Sequence, residues 1–329
     1  MRSLDFRRYA LGSCAFAAML AGCGGSPISF WGAMQQTSAI ATHAERGKSW
    51  MLPGAKSEGL LYVATGDNVY VLSYPHGKLV GSLGIAGNNL CSDNQGDVFI
   101  PAANGYDQIF EYAHGRDNPI QKLDDGDIPL GCAVDPTTGN LAVTNEGSGA
   151  GEVAIFPNAK EPSTWYRDPE IGAYGLCGYD DKGDLFVDGS GSGNFLAELP
   201  DDKSTFRNYS LNRSFDVYGS VQWDGEHITL SNPTSEQIYR LKLSRSSLKV
   251  VQTTQIDGWQ NNYSGHWPYV QTWVQGASFI AQSSTQAELG LWSYPKGGNA
   301  NKVIGPFRNG SVNIYGVTVS LAQKGLRRF

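Results

Sequence analysis

No apolar run of eighteen or more residues follows the first two dozen positions, so beyond its leader the chain offers no helix that spans a bilayer. No stripe of Lys and Arg is present to neutralise phosphates, and the formal net charge of −6 speaks against a nucleic-acid partner. Charged residues make up only 17% of the chain, too few for a disordered polyelectrolyte. The five cysteines contain no Cys-x-x-Cys pair, the spacing a zinc site favours. The histidines, His43, His76, His114, His227 and His266, include no pair at metal-ligand spacing. A Gly-x-Ser-x-Gly elbow is missing, as is a glycine loop that would cradle phosphate ahead of a helix. These gaps leave no catalytic residues, no metal ligands and no cofactor to expect.

What the chain does have is glycine, 41 residues of it, and aromatics at 11%. Residues 130–168 show why. GCAV, NLAVTN, EVAIFP and STWYRD read as four short strands, with period-2 alternation clearest in the third. The turn DPTTG separates the first two; Asp135 bonds back to the chain and Gly139 takes positive φ. Four antiparallel strands in about 40 residues are one blade of a β-propeller. A glycine opens the second strand of each repeat: Gly59, Gly96, Gly139, Gly183, Gly225 and Gly276. Their spacing runs from 37 residues (59 to 96) to 51 residues (225 to 276). SYPHGK at 73–78 and SYPKGG at 293–298 are nearly the same segment twice. The first repeat lacks an inner strand on its N-terminal side, and Ile314 to Leu321 (IYGVTVSL) supplies one from the far end. The expectation is an all-β, six-bladed propeller of four antiparallel strands per blade, whose first blade is closed by the C-terminal strand.

The pattern Gly-x-hydrophobic-Asp-x-x-Gly-(Asn/Asp)-hydrophobic-hydrophobic-Val resembles NHL-type propellers, the group that includes sugar lactonases and streptogramin lyases, over Gly59 to Leu321. Within that group the chain is similar to bacterial lipoproteins carrying NHL-like repeats. The resemblance implies the six-bladed fold. It does not carry over an active site, because neither the His-and-carboxylate set of the lyases nor the Glu/Asn/Asp set of the lactonases maps onto these residues.

The leader has Arg2, Arg7 and Arg8, a short apolar stretch, and then Leu20-Ala21-Gly22-Cys23. A basic flank, a short apolar core and small residues before a cut describe a secretory signal. Cys after Leu-Ala-Gly resembles a bacterial lipobox, which implies that Cys23 carries diacylglycerol and becomes the new N-terminus. Gly24 stands where an inner-membrane retention signal places Asp, favouring the outer membrane or cell surface. The expected boundaries are 1–22 for the signal peptide, 23–56 for a lipid-anchored tether and 57–329 for the propeller.

Asp93, Asp135, Asp180 and Asp224 recur at the first turn of their repeats, where turn formation accounts for them. Cys132 and Cys177 stand three residues before that Asp and Cys91 stands two before, so Cys91 lies on the opposite sheet face. Cys91 and Cys132 can then meet across adjacent blades as a disulfide in an exported protein, the alternative being three buried thiols. A thiol count on denatured protein separates the two.

An aromatic ring marks where inner strands begin. Tyr174, Tyr218 and Tyr315 each precede a glycine there, and the loop 258–269 adds Trp259, His266 and Trp267. These six are the candidate ligand-binding residues, set around one mouth of the channel and suited to a glycan, a peptide or an envelope protein. Packing between blades is the competing role for the same rings. The expected function is a monomeric, lipid-anchored, extracytoplasmic module that binds without catalysis. The alternative is a metal-dependent lactonase- or lyase-like enzyme, with Asp127, Asp168, Glu170 and Asp216 holding a divalent ion at the mouth.

Overall fold

The computed structural model describes residues 48–103, 107–147, 152–191, 193–209, 211, 215, 219–244, 247–259, 271–283, 287–307 and 313–322. All of them lie within the compact unit Ser38–Phe329.

Six antiparallel sheets of four main strands follow one another along the chain. The inner strands are Cys91–Ser92, Pro129–Val134, Ile171–Tyr179, Val221–Trp223 and Trp273–Gln275 for blades two to six. The inner strand of blade one is Ile314–Ser320, which pairs with Gly59–Thr65 from Leu60↔Ser320 to Thr65↔Ile314. The chain end thus closes the ring and removes the open edges that separated first and last repeats would expose.

Each blade presents one apolar face to the blade before it and the other to the blade after it. In blade two Val98 and Ile100 pack against blade one, with Leu60, Tyr62 and Val71. Phe99 between them points the other way, against Leu141, Val143 and Phe156 of blade three. Strands buried on both faces explain why segments such as DVFIPAA read as continuous apolar runs rather than strict alternation. Blades six and one share the largest such cluster, in which Ile280, Leu289 and Phe307 meet Leu61, Tyr70, Val317 and Val319.

The turn aspartates act as the sequence implies. Asp93 Oδ1 accepts from the N–H of Gln95 and of Asp97, both at 2.8 Å. Asp180 Oδ1 does the same for Lys182 at 2.8 Å and Asp184 at 3.0 Å. Gly96 closes the first of these turns at φ +86°, a backbone that a side chain would strain.

Two sheets carry a fifth strand beyond the expected four. Trp50–Met51 is a fifth strand on the outer edge of blade one, paired as Trp50↔Ser82 and Met51↔Gly81. Ala55, in the short 3-10 turn that follows, is buried. Residues 50–56, expected as part of the tether, carry a strand paired with blade one and the buried Ala55. The physical reason is the free edge of Leu79–Leu83, which an added strand covers. Gly81 allows this, since a Cβ there would lie 2.3 Å from Met51 Sδ. In blade five, Gly298–Asn299 from the neighbouring blade adds in parallel to Ile256–Asp257.

Cys91 and Cys132 form a disulfide between the inner strands of blades two and three, with Cα atoms 5.6 Å apart. Cys177 is a buried thiol. The bridge spans 41 residues of sequence, and a loop of that size corresponds to a stabilisation of up to about 4 kcal/mol in the chain-entropy picture.

A polar clasp holds the closure. Ser320 Oγ donates to Gly96 O and sits 2.6 Å from His114 Nδ1, while His114 Nε2 lies 2.9 Å from Glu58 O. A neutral ring donates from Nε2 to that carbonyl and accepts at Nδ1 from the Ser320 O–H, whose one hydrogen is shared between His114 and Gly96 O. Burial lowers the His114 pKa below its usual 6.5, against the opposing pull of Glu58 O and Asp97. A folded-state pKa below the unfolded one means the contribution is complete above about pH 6.5 and is lost as pH falls below it. Wild-type protein is therefore expected to lose more melting temperature between pH 7.5 and pH 5 than His114→Gln. Equal acid sensitivity in thermal melts would remove His114 from the closure.

Candidate functional site

The inner strands surround a central channel. Neighbouring ones touch from blade one through blade five and again from blade six to blade one. Blades five and six are joined by side chains: Ser220 Oγ accepts from Thr272 N at 2.7 Å, and Gln222 Oε1 accepts from Val274 N at 2.7 Å.

The two ends of the channel differ. At the mouth, where the chain enters the inner strands, Gln271 of blade six reaches past blade one to blade two. Its Oε1 accepts from Leu90 N at 2.7 Å and its Nε2 donates to Leu90 O at 2.6 Å. Asn89 continues the brace, its Nδ2 donating to Leu130 O at 2.9 Å in blade three. Gly316 lets the brace pass, because a Cβ there would lie 2.6 Å from Asn89 Cα. Gly175 has the same kind of use. A Cβ on Gly175 would lie 2.1 Å from Asp188 Oδ1, which accepts from Leu176 N.

At the other end, beside the turns, lies a cavity of about 350 Å³. That is the low end of small-ligand sites, about 300–1,000 Å³. Trp223, Trp273 and Tyr179 supply its aromatic surface, Gln222 and Gln275 its amides, the disulfide part of its wall, and Gln271 part of its floor. Trp273 Nε1 donates to Gln275 Oε1 at 3.2 Å. With both glutamine carbonyls engaged inside the protein, the amide N–H groups are what each offers a ligand.

Asp224 is the charged residue of the lining, and its charge is spent internally. Its Oδ2 accepts from Arg240 Nε at 2.6 Å and Tyr294 O–H at 2.6 Å, and Oδ1 from the N–H groups of Glu226 and His227. Burial alone would raise its pKa; these hydrogen bonds outweigh it and hold the carboxyl below its usual range. Burial also pushes the Cys177 thiol and the Tyr179 hydroxyl well up, so neither ionises near neutrality. Among the described residues the cavity lining combines indole faces and amide donors with no free charge, no activated nucleophile and no base poised near pH 7.

The sequence-nominated residues fall differently. Tyr174 is 1% exposed; its ring packs near Phe206, and its oxygen accepts from Asp168 N at 2.5 Å. Trp259 is also 1% exposed, edge-on to Phe279 at 5.2 Å between blades five and six. These two rings are seam packing, not ligand surface, because each blade needs large apolar groups to fill its wedge against the next. Tyr315 is partly exposed beside Gly66, and its carbonyl accepts from Gln271 N at 2.9 Å. Cys23, Tyr218, His266, Trp267 and Asp216 lie outside the described residues.

Of the acidic residues at the mouth, Asp168 and Glu170 are bridged by Asn208 Nδ2 at 2.8 and 3.0 Å. Asp127 Oδ1 accepts from Ile128 N. Among the described residues no three His, Cys, Asp or Glu side chains converge as a metal-binding group.

Trp223, Trp273, Gln222 and Gln275 were not singled out from sequence. The signal was the pairing of Trp with Gln in two inner strands, QW at 222–223 and WVQ at 273–275.

No protein-family model and no curated protein sequence matches the chain. Solved structures do match in fold. A nidogen/laminin complex structure aligns with TM-score 0.62 at 11% identity, covering 80% of this chain and 99% of that one. A Bacteroides caccae protein of unknown function aligns with TM-score 0.56 at 12% identity, covering 80% and 99%. The Cps50 (Swd1) β-propeller domain of Myceliophteria thermophila aligns with TM-score 0.53 at 11% identity, covering 82% and 89%. At these identities the likeness is one of fold.

Proposed function

We propose that the chain is an exported binding module, anchored by lipid at Cys23, that takes a neutral, oxygen-rich ligand into the turn-end cavity without transforming it. The observation that carries this is the cavity itself, where two half-buried indoles and two amides with engaged carbonyls surround a space holding no free charge. An indole stacks on the C–H face of a sugar ring, and amide N–H groups donate to hydroxyl or carbonyl oxygens. The end of a glycan fits that chemistry best. Support for export and anchoring is the leader 1–22 with its Leu-Ala-Gly-Cys box. A similar fold solved within a nidogen/laminin complex supports treating this scaffold as one that binds. The NHL-type resemblance supports the same scaffold.

Titration of neutral oligosaccharides, with acyclic peptides as the comparison, tests the proposal. Trp273→Ala is expected to weaken glycan binding by about tenfold or more, corresponding to about 1.4 kcal/mol or more, while the domain stays folded. Preference for peptides would change the ligand class. Turnover of a lactone panel, abolished by chelator, would favour the lactonase- or lyase-like enzyme instead.

A further inference from the structure

The third and fourth strands of blade five, Gln237–Ser244 and Ser247–Asp257, run on past the rest of the blade. The second strand, Ile228–Asn232, starts at Ile228, which pairs with Leu241. Beyond that point Lys242↔Lys249, Leu243↔Leu248 and Ser244↔Ser247 extend the hairpin with no second-strand partner. Three further residue pairs, at roughly 3.3 Å per residue, carry it about 10 Å beyond the turn end of the blade. The projection has its own supports. Ser244 Oγ donates to Ser247 O at 2.9 Å across its end. Leu248 is buried, and its backbone bridges in parallel to Leu211, on the chain leading out of blade four.

Directly opposite residues share a sheet face, so Lys242 and Lys249 stand side by side, and both are exposed. Like charges in that position destabilise a hairpin. The carboxylates of the adjoining turn, Asp224 and Glu226, pair with Arg240 instead. Among the described residues neither lysine has an ion-pair partner. From residue 237 to residue 256 the sequence has four Lys or Arg and no Asp or Glu, in a chain of net charge −6. One of the four, Arg245, lies outside the described residues. A lysine on an outer strand guards its edge against unwanted pairing. That accounts for Lys249, and not for a second lysine opposite it on the third strand. Two apolar side chains are exposed beside the pair. Leu243, next to Lys242, is 39% exposed, and Val251, the extra residue of a bulge, is 49% exposed.

We propose that this hairpin rests on a bilayer surface rich in anionic phospholipid. Lys242 and Lys249 donate to phosphate oxygens, and Leu243 and Val251 enter the headgroup boundary. Ammonium groups beside exposed apolar side chains suit the charged and the apolar layer of such a surface together. The choice of a bilayer over another polyanion rests on the anchor at Cys23 proposed above, which keeps the domain beside a membrane. An anchored domain needs little intrinsic affinity, because the tether makes docking intramolecular. The hairpin belongs to outer strands, and neither lysine lines the ligand cavity.

The test uses the full chain with two kinds of vesicle, phosphatidylcholine alone and an equal mixture with phosphatidylglycerol. Flotation reads attachment, and hydrogen exchange over residues 242–252 reads the hairpin. The expected result is exchange slowed about tenfold in this segment on the mixed vesicles and not on phosphatidylcholine, with the effect lost at high salt. The double variant Lys242→Gln, Lys249→Gln changes two exposed side chains, keeps the buried packing, and is expected to abolish the slowing. Exchange that is the same on both vesicles would overturn the proposal; if the chain still floats with both, the anchor stands. Flotation with the mixed vesicles only, lost in the double variant, would support the hairpin and remove the anchor. Slowing kept in full by the double variant would overturn the proposal. Equal slowing by soluble polyglutamate without vesicles would also overturn it, assigning the hairpin to an acidic protein partner.

Discussion

Removing residues 314–329 is expected to leave a chain that no longer melts cooperatively and no longer elutes as a compact species. The loss is large because one strand serves three purposes. It supplies the inner strand of blade one, paired from Leu60 to Thr65. It contributes Ile314, Val317 and Val319 to the cluster between blades six and one. Burial of each such side chain stabilises by roughly 1.5–3 kcal/mol, so three approach the whole stability of a domain, about 5–15 kcal/mol. It also anchors the clasp to blade two, where Ser92 Oγ donates to Val319 O at 2.9 Å and Ser320 meets His114. Circular dichroism melts and gel filtration read the outcome. A truncated chain that kept a sharp transition within a few degrees of wild type would show that the ring does not depend on its last strand.

Gln271→Leu is the single substitution with the largest expected effect. Leucine is close in volume and apolar, so packing is nearly conserved, but both hydrogen bonds to Leu90 vanish. Leu90 is fully buried, and its N–H and C=O would be left without these partners. Each unsatisfied buried group costs about 1–3 kcal/mol, giving a loss of roughly 2–6 kcal/mol in chemical denaturation. Gln271→Glu restores the acceptor but not the donor, and should fall between the two. A Gln271→Leu protein as stable as wild type would mean that the brace across the mouth is filled equally well without hydrogen bonds.

Much of the architecture was legible because each blade repeats its own grammar locally. A turn Asp, a glycine and an apolar second strand sit within about a dozen residues, and the near-copy of 73–78 at 293–298 ties the repeats together. Strand parity left a Cys91–Cys132 bridge open beside three buried thiols, and the structure has the bridge. The site was less legible, since it depends on contacts between distant blades. Gln271 and Leu90 are 181 residues apart, and nothing near either says that together they brace one end of the channel. Tyr174 and Trp259 have the neighbours of a ligand loop, glycine and polar residues, but the adjoining blade buries both rings. Trp223 and Trp273 sit in inner strands whose alternation matches that of core strands. Only the ring geometry turns them toward the cavity. The edge strand Trp50–Met51 was missed because two residues carry no period.

The most direct test of the turn-end cavity is ¹⁹F NMR of the chain labelled with 5-fluorotryptophan. The sequence has eight tryptophans, which single Trp→Phe variants assign. On addition of a neutral oligosaccharide that binds, the resonances of Trp223 and Trp273 should shift and saturate together, while that of buried Trp259 stays in place. Shifts confined to other tryptophans, with Trp223 and Trp273 unmoved, would contradict the account.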